Sequence, residues 1–251
     1  MDNIIITQCR NNELDQCLRL LKKVFPRYDE NFFNWRYKSN KIEKPIMICG
    51  KVNNEIVSFN SWTPWEFYYQ NKKLIGYQSG DSATDATFRG RGYFRKIISF
   101  GENVARQKKI NFFIGFPGPN SANTFFKEGY YPVATYYYHL RILNPLKRSH
   151  ENKSHKTDFN NSFLIQPEII TPVLNNNYYQ WRYTENSKRY NTITYIEKNN
   201  QALFIIRESK RKGINEILLL DCQFSSYNSS FIKNSIHYLD RSISNNAVYI
   251  R

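Results

Sequence analysis

The residues best suited to chemistry are Arg89-Gly90-Arg91-Gly92-Tyr93, which stand between a strand-like run and a helical pattern. Two glycines let a backbone approach a ligand closely, and the start of the following helix offers amide N–H groups to an anion. Arg89, Arg91 and Arg95 add positive charge. Such a turn suits a pyrophosphate, although taken alone it also fits an ordinary glycine turn before a helix. Upstream lies GDSATDAT (80–87), where strand alternation puts Asp81, Ala83 and Asp85 on one face. A carboxylate at Asp81 can serve as a general base, or as a structural group hydrogen-bonded to backbone. Downstream, Gly115-Phe116-Pro117 leads through Asn120 and Ser121 into a short helix stopped by Gly129, with Tyr130 and Tyr131 beyond. Asn120, following Pro119, reads as a turn residue or a ligand contact. The histidines (His139, His150, His155, His237) form no recognisable catalytic pair.

The elements that must hold these residues follow in the order strand, helices, antiparallel strands, glycine turn, helix, strand, helix, strands. Residues 3–7 are β-branched and predict a short strand, and Leu14, Leu18, Leu21 and Phe25 recur at helical spacing over 13–25, ended by Pro26. A second helix is expected over 30–37. Strands are expected at 45–51, 55–62, 65–69 and 74–80, the last two separated by a polar QNKK turn. Residues 80–87 continue extended. Ile97, Ile98 and Val104 then lie on one side of a helix over 93–108, ahead of a strand at 110–116. Aromatic strands are expected from Tyr130 to Ile142.

At the Arg89–Tyr93 turn the chain resembles the GCN5-related N-acetyltransferases (GNAT). Their signature is Arg/Gln-x-x-Gly-x-Gly/Ala between the fourth strand and the third helix. Arg89 and Gly92 match, while Phe94 stands where Gly or Ala is usual. A branch with Phe there also has the spacing of Asp81 to Arg89 and a Gly-Phe-Pro-x-x-x-Ser segment, as Gly115 to Ser121 here. The resemblance covers about residues 1–142. It implies an α+β fold, a mixed and mostly antiparallel sheet flanked by helices. It also implies an acetyl-CoA site in a V-shaped gap between strands ending near 86 and 116. The amides of Arg89, Gly90, Arg91, Gly92 and Tyr93 would hold the pyrophosphate, with Asn120 and Ser121 on the cofactor arm. Backbone groups near Ala83 and Thr84 would bond the pantetheine and meet the developing oxyanion. Asp81 is the candidate base. The family's usual Tyr acid falls on Phe125, leaving Tyr130, with Tyr131 beside it, as the candidate substitute.

A second pattern follows a polar stretch at 144–164. FFNWRY (32–37) recurs as YYQWRY (178–183), each ahead of a strand, a two-Asn turn and another strand. Asp81 finds a counterpart in Asp221, ahead of a helical stretch near 228–243 and a strand at 247–250. The expectation is a duplicated unit with a truncated second copy: residues 1–143 as the acyl-CoA-binding domain, 144–164 as linker, and 165–251 as the second domain. Residues 222–230 (CQFSSYNSS) lack the glycine turn, so that half is not expected to bind CoA.

Composition bounds the rest. Hydrophobic residues make up 41% and aromatics 16%, too apolar for a disordered chain, and no apolar run approaches a membrane span. Cys9, Cys17, Cys49 and Cys222 show no CxxC spacing, so neither a disulfide scaffold nor a metal site is expected. With no secretory pattern at the start, a cytoplasmic location is expected. The net charge of +15 calls for an anionic partner. The leading reading is transfer of acetyl from acetyl-CoA to a small primary amine, with an amino sugar as the family-level analogy. A tandem aminoacyl transferase using charged tRNA and a non-enzymatic nucleic-acid or CoA-binding module are the alternatives.

Overall fold

The computed structural model describes residues 3–40, 42–108, 110–134, 141–142, 168–185, 190–243 and 249–250. The chain divides into two compact units, Met1–Val133 with Pro167–Val173, and Ala134–Gln166 with Leu174–Arg251. The stretch 144–164 lies outside the described residues.

The first unit begins with β1 (Ile5–Gln8), α1 (Leu14–Val24), α2 (Glu30–Lys38), β2 (Ile46–Val52), β3 (Glu55–Tyr69) and β4 (Lys72–Thr84). It continues with α3 (Tyr93–Gln107), β5 (Phe112–Gly115) and α4 (Pro119–Lys127). Later in the chain come β6 (Arg141–Ile142), β7 (Thr171–Pro172), α5 (Asn176–Tyr179), β8 (Asn191–Glu197) and β9 (Asn200–Arg211). The last described elements are β10 (Ile214–Phe224), α6 (Ser229–Ser242) and β11 (Tyr249–Ile250).

The first sheet is ordered β1-β2-β3-β4-β5, with β7 also paired to β3. Its neighbours are antiparallel except β5, which runs parallel to β4. Two-residue turns with left-handed backbone, Asn53-Asn54 and Gln70-Asn71, set the two hairpins. Alternation on β2 sends Ile46 and Ile48 to the α3 face and Cys49 to the α1 face, so its apolar run from Ile46 to Cys49 packs on both sides. Leu18 and Leu21 of α1 and Phe33 and Tyr37 of α2 complete one core, and Ile97, Ile98 and Ala105 of α3 the other.

Two strand expectations change. Residues 55–69 form one strand rather than two. Glu66 turns its carbonyl toward Val173 on the β7 side (2.9 Å), so by alternation the missing N–H of Pro64 falls on that side too. There β2 has already ended opposite Trp62, and no ladder bond is lost. Tyr130–Ala134, expected as strand, are not in one. Tyr130 instead packs its ring on Phe125 (centroids 5.0 Å apart) and Phe113 (6.3 Å). Residues 135–140 lie outside the described residues.

In the second unit the sheet runs β6-β11-β10-β9-β8, with β11 parallel to β10 and β8 to β10 antiparallel. Phe231 and Leu239 of α6 cover one face with Phe204 and Ile217, and Tyr179 packs on the other with Leu203 and Ile205.

Candidate active site

The parallel ladder between β4 and β5 runs from Gly76 opposite Phe112 to Ser79 opposite Gly115. Beyond it β5 ends, the chain turns away through Phe116-Pro117, and β4 continues to Thr84 with no β5 residue beside it. One long edge of β4 is thereby opened. At its centre Asp81 and Ser82 together oppose Asn60, because the β3 register shifts between Phe59 and Ser61. Asp81 has φ of 53°, a left-handed backbone that marks a bulge.

The bulge aims Asp81 toward α2, where it is fully committed. Its carboxylate accepts hydrogen bonds from the Tyr28 and Tyr37 hydroxyls, both at 2.6 Å, and pairs with the Arg36 guanidinium at 3.5 Å. Burial and the Asp81 charge raise the phenol pKa of both tyrosines, which keeps them protonated as donors. Tyr37 Oη also lies 2.7 Å from Ser61 Oγ. On the other side of the bulge, Asn60 accepts from Ser82 Oγ at 2.5 Å and donates to Ser79 Oγ at 3.1 Å.

At the end of β4, the amide of Asp85 donates to Val57 on β3 (2.9 Å). Alternation then turns Thr84's peptide groups outward into the open edge and Ala83's inward. In keeping with this, the Ala83 carbonyl accepts from Ser58 Oγ (3.3 Å) and the Thr84 carbonyl from Arg89 Nε (3.0 Å). Asp85 caps a helical turn at Ala86–Phe88 and accepts from Lys23 at 2.5 Å. The Lys23 hydrogen bond, with that of the Thr87 amide, holds its carboxyl at about 2.

The turn itself is exposed. Gly90 and Gly92 have φ of 75° and 74°, and the space where a Cβ would stand is open at both. Arg91 braces the turn, donating to the Thr87 carbonyl (3.2 Å) and lying over the Phe88 ring at 5.1 Å. Tyr93 anchors the start of α3 by burying its ring with Val52 and Val57. The N-cap of α3 is Gly92, which has no side chain of its own to cap the helix. An exposed helix start with left-handed glycines, open approach and flanking arginines fits a phosphate-bearing ligand.

Across the opening, Asn120 is exposed in the first turn of α4, and Ser121 Oγ donates to the Gly118 carbonyl at 3.2 Å. The far end of α4 is tied to α3 through Glu128, which accepts from Arg95 Nε and Ser99 Oγ, both at 2.5 Å. These bonds, Ser99 first, lower the Glu128 carboxyl.

Residues 6–132, just over half of the chain, match the family model described as an acetyltransferase (GNAT) domain. The chain belongs to the GNAT acetyltransferase family. It is thus an acyl-CoA-dependent N-acetyltransferase. Similar solved structures include glucosamine-6-phosphate N-acetyltransferase from Arabidopsis thaliana, at 13% identity over 55% of this chain and 98% of that one, TM-score 0.45. A predicted acetyltransferase with acetyl-CoA from Clostridium acetobutylicum is 17% identical over 59% of this chain and 100% of that one, TM-score 0.46. No curated protein matches the chain.

In this GNAT acetyltransferase, Thr84, Arg89, Gly90, Arg91, Gly92 and Tyr93 come together at the open edge of β4. Asp81 and Ala83 turn away from that edge, toward the core beneath α1 and α2. Tyr130 stands apart too. Its hydroxyl is buried, with Trp62 and Glu102 as its neighbours, and burial raises its pKa. Phe125 lies in the same core, against Phe94 at 5.9 Å. Sequence reading missed Tyr28 as a partner of Asp81, and the Lys23–Asp85 and Glu128–Arg95 pairs. Only the Trp-Arg-Tyr triplet hinted at the first, as an arginine set among aromatics that must find a counter-charge.

Proposed function

We propose that this GNAT acetyltransferase moves the acetyl group of acetyl-CoA to the primary amine of a small acceptor. The observation that carries the reading is the exposed glycine turn at the Gly92 start of α3, beside the open edge of β4. In this reading the amides of the 89–93 turn bind the pyrophosphate, Arg89 and Arg91 hold the turn's shape, and Asn120 and Ser121 line the cofactor arm. Thr84's outward peptide groups bond the pantetheine and the developing oxyanion. The acceptor ammonium first loses one proton, its nitrogen then attacks the thioester carbonyl, the C–N bond forms and the C–S bond breaks. The second amine proton leaves with the collapse, the thiolate of CoA takes up one proton, and one proton in total goes to solvent.

Asp81 is a positioning residue in this scheme. Its carboxylate oxygens are already occupied by two phenol donors and the Arg36 guanidinium, so in this scheme water is the proton acceptor. Tyr130 holds core packing. An amino sugar is the first acceptor class to try, and the +15 charge suits one carrying phosphate.

We also infer that 165–251 is a degenerate second copy that binds no CoA. Supporting this, both units follow a Trp-Arg-Tyr helix with three antiparallel strands, a helix and a parallel strand. The first amides of α6 are taken by its own cap, since Asn228 Oδ1 accepts from the Ser230 amide (2.9 Å) and the Phe231 amide (3.2 Å).

Calorimetric titration of acetyl-CoA tests the proposal. One equivalent should bind, and Gly92→Glu should weaken binding by about 100-fold, roughly 2.7 kcal/mol. Absence of binding to the unaltered protein would overturn it, and salt-sensitive oligonucleotide binding would then identify a nucleic-acid module.

A further inference from the structure

Cysteines dispersed in sequence converge beneath α1. Cys9 follows β1, Cys17 lies on α1 and Cys49 on β2. Cys9 Sγ is 3.3 Å from Cys17 Sγ, which is 3.5 Å from Cys49 Sγ, and all three sulfurs lie within 4.8 Å of one another. Cys17 and Cys49 are fully buried and Cys9 is half-buried, so the group opens toward the surface on one side only. The backbone fixes the cluster from two directions. The Cys9 amide donates to the Met47 carbonyl at 2.8 Å, and Cys49 pairs with Thr7 across the β1–β2 ladder.

The core around the sulfurs is apolar, and at its open corner Cys9 Sγ donates to the Arg10 carbonyl at 3.5 Å. Met47 packs against the same core, with Leu14, Leu18 and Leu21. The nearest carboxylate in the chain's order, Glu13, is engaged by Lys51 and by the Arg10 amide at 2.8 Å. Among the described residues, no other group of three metal-ligating side chains gathers in this way. Three sulfurs bound to one ion at about 2.3 Å in a plane stand about 4 Å apart, so the triangle needs to open by only a fraction of an ångström. Zinc in structural sites takes four ligands, and among the described residues no fourth cysteine, histidine or carboxylate joins this group. Thiolates and thioethers in an apolar shell select soft ions.

We propose that Cys9, Cys17 and Cys49 form a three-coordinate site for a soft monovalent d10 ion, cuprous copper. Each coordinating thiol gives up its proton to solvent on binding, so affinity rises with pH. The site lies on the core beneath α1, is independent of the acetyl-CoA reading, and would fasten the end of β1 and α1 to β2.

The test is an anaerobic titration of cuprous ion into the full chain carrying Cys222→Ser, against a competing cuprous chelator. One equivalent should be retained, with X-ray absorption giving three sulfur neighbours at about 2.3 Å. Cys17→Ala and Cys49→Ala should each weaken retention by about 100-fold or more. Cys9→Ala, at the half-buried corner, should do the same while leaving the circular dichroism spectrum unchanged, which separates ligand loss from misfolding. No retained equivalent would overturn the proposal, as would one that survives Cys9→Ala. Retention of zinc with a nitrogen or oxygen neighbour in place of copper would overturn the three-coordinate assignment.

Discussion

Both units place an aspartate on the third strand after a Trp-Arg-Tyr triplet, but they finish the contact differently. In the first, the Arg36 guanidinium lies over Gly80, where any Cβ would collide with it, and Asp81 collects Tyr28, Tyr37 and Arg36. In the second, Leu220 stands before Asp221, and Tyr183 donates to Asp221 at 3.3 Å. Arg182 lies over its own Tyr183 ring at 5.6 Å, as Arg36 lies over Tyr37 at 5.9 Å. Burial raises the Asp221 carboxyl, with Tyr183 and Gln223 pulling the other way. Both third strands carry a register shift at this point. The shared part is the scaffold that bends the strand. What differs is the start of the helix that follows: a glycine turn leads into α3, and an asparagine cap closes α6.

The comparison breaks most visibly if CoA ignores it. Gly92→Glu should remove about 100-fold of acetyl-CoA affinity, while Ser226→Glu, at the equivalent approach to α6, should leave it within about twofold, both read by calorimetry. A second contrast is in stability. Asp81→Ala leaves a buried guanidinium and two phenols without their acceptor and should cost about 3–5 kcal/mol. Asp221→Ala removes the long Tyr183 hydrogen bond along with a charge that burial disfavours, and should cost no more than about 1 kcal/mol. Urea unfolding followed by tryptophan fluorescence resolves them, since Trp35, Trp62 and Trp65 report the first unit and Trp181 the second. Next, Asn228→Ala should lower the stability of the second unit by about 1 kcal/mol through the lost cap, with acetyl-CoA affinity unchanged.

The smallest effect is in pH. Asp85's folded pKa lies near 2, below its ordinary 3.8, so its contribution is present above about pH 4 and lost as acid is added through pH 2. Asp221's is raised, so its contribution is present in acid and lost as pH climbs past the ordinary aspartate value. Asp85→Asn should flatten the acid limb of the first unit's stability, and Asp221→Asn should remove the opposite slope from the second. Identical slopes for the two variants would refute the distinction.

What was legible in the sequence was what short-range geometry dictates. Asn53-Asn54 and Gly90 to Gly92 announce left-handed backbone because few other residues adopt it, and Leu14, Leu18 and Leu21 mark a helix face by spacing alone. Contacts that depend on the tertiary fold were not legible. Tyr28 reaches Asp81 across 53 positions and Cys17 meets Cys49 across 32, distances over which neither spacing nor propensity carries information. Alternation placed Asp81 correctly with Ala83 toward one side, yet it missed that a bulge, not a regular strand, puts it there. The break expected between 62 and 65 does not form, because Pro64 stands where β3 needs no amide donor.

The first sheet is completed by residues the chain makes late. Phe67 and Tyr68 on β3 pair with Pro172 and Thr171, and Val173 closes on Glu66. As the chain leaves the ribosome, this stretch of β3 is therefore a bare strand edge for roughly a hundred residues of translation. An unpaired edge is a template for other chains. Vectorial synthesis thus gives the growing polypeptide an interval of seconds in which its first sheet lacks this seal. A stop codon placed before position 171 would make that interval permanent.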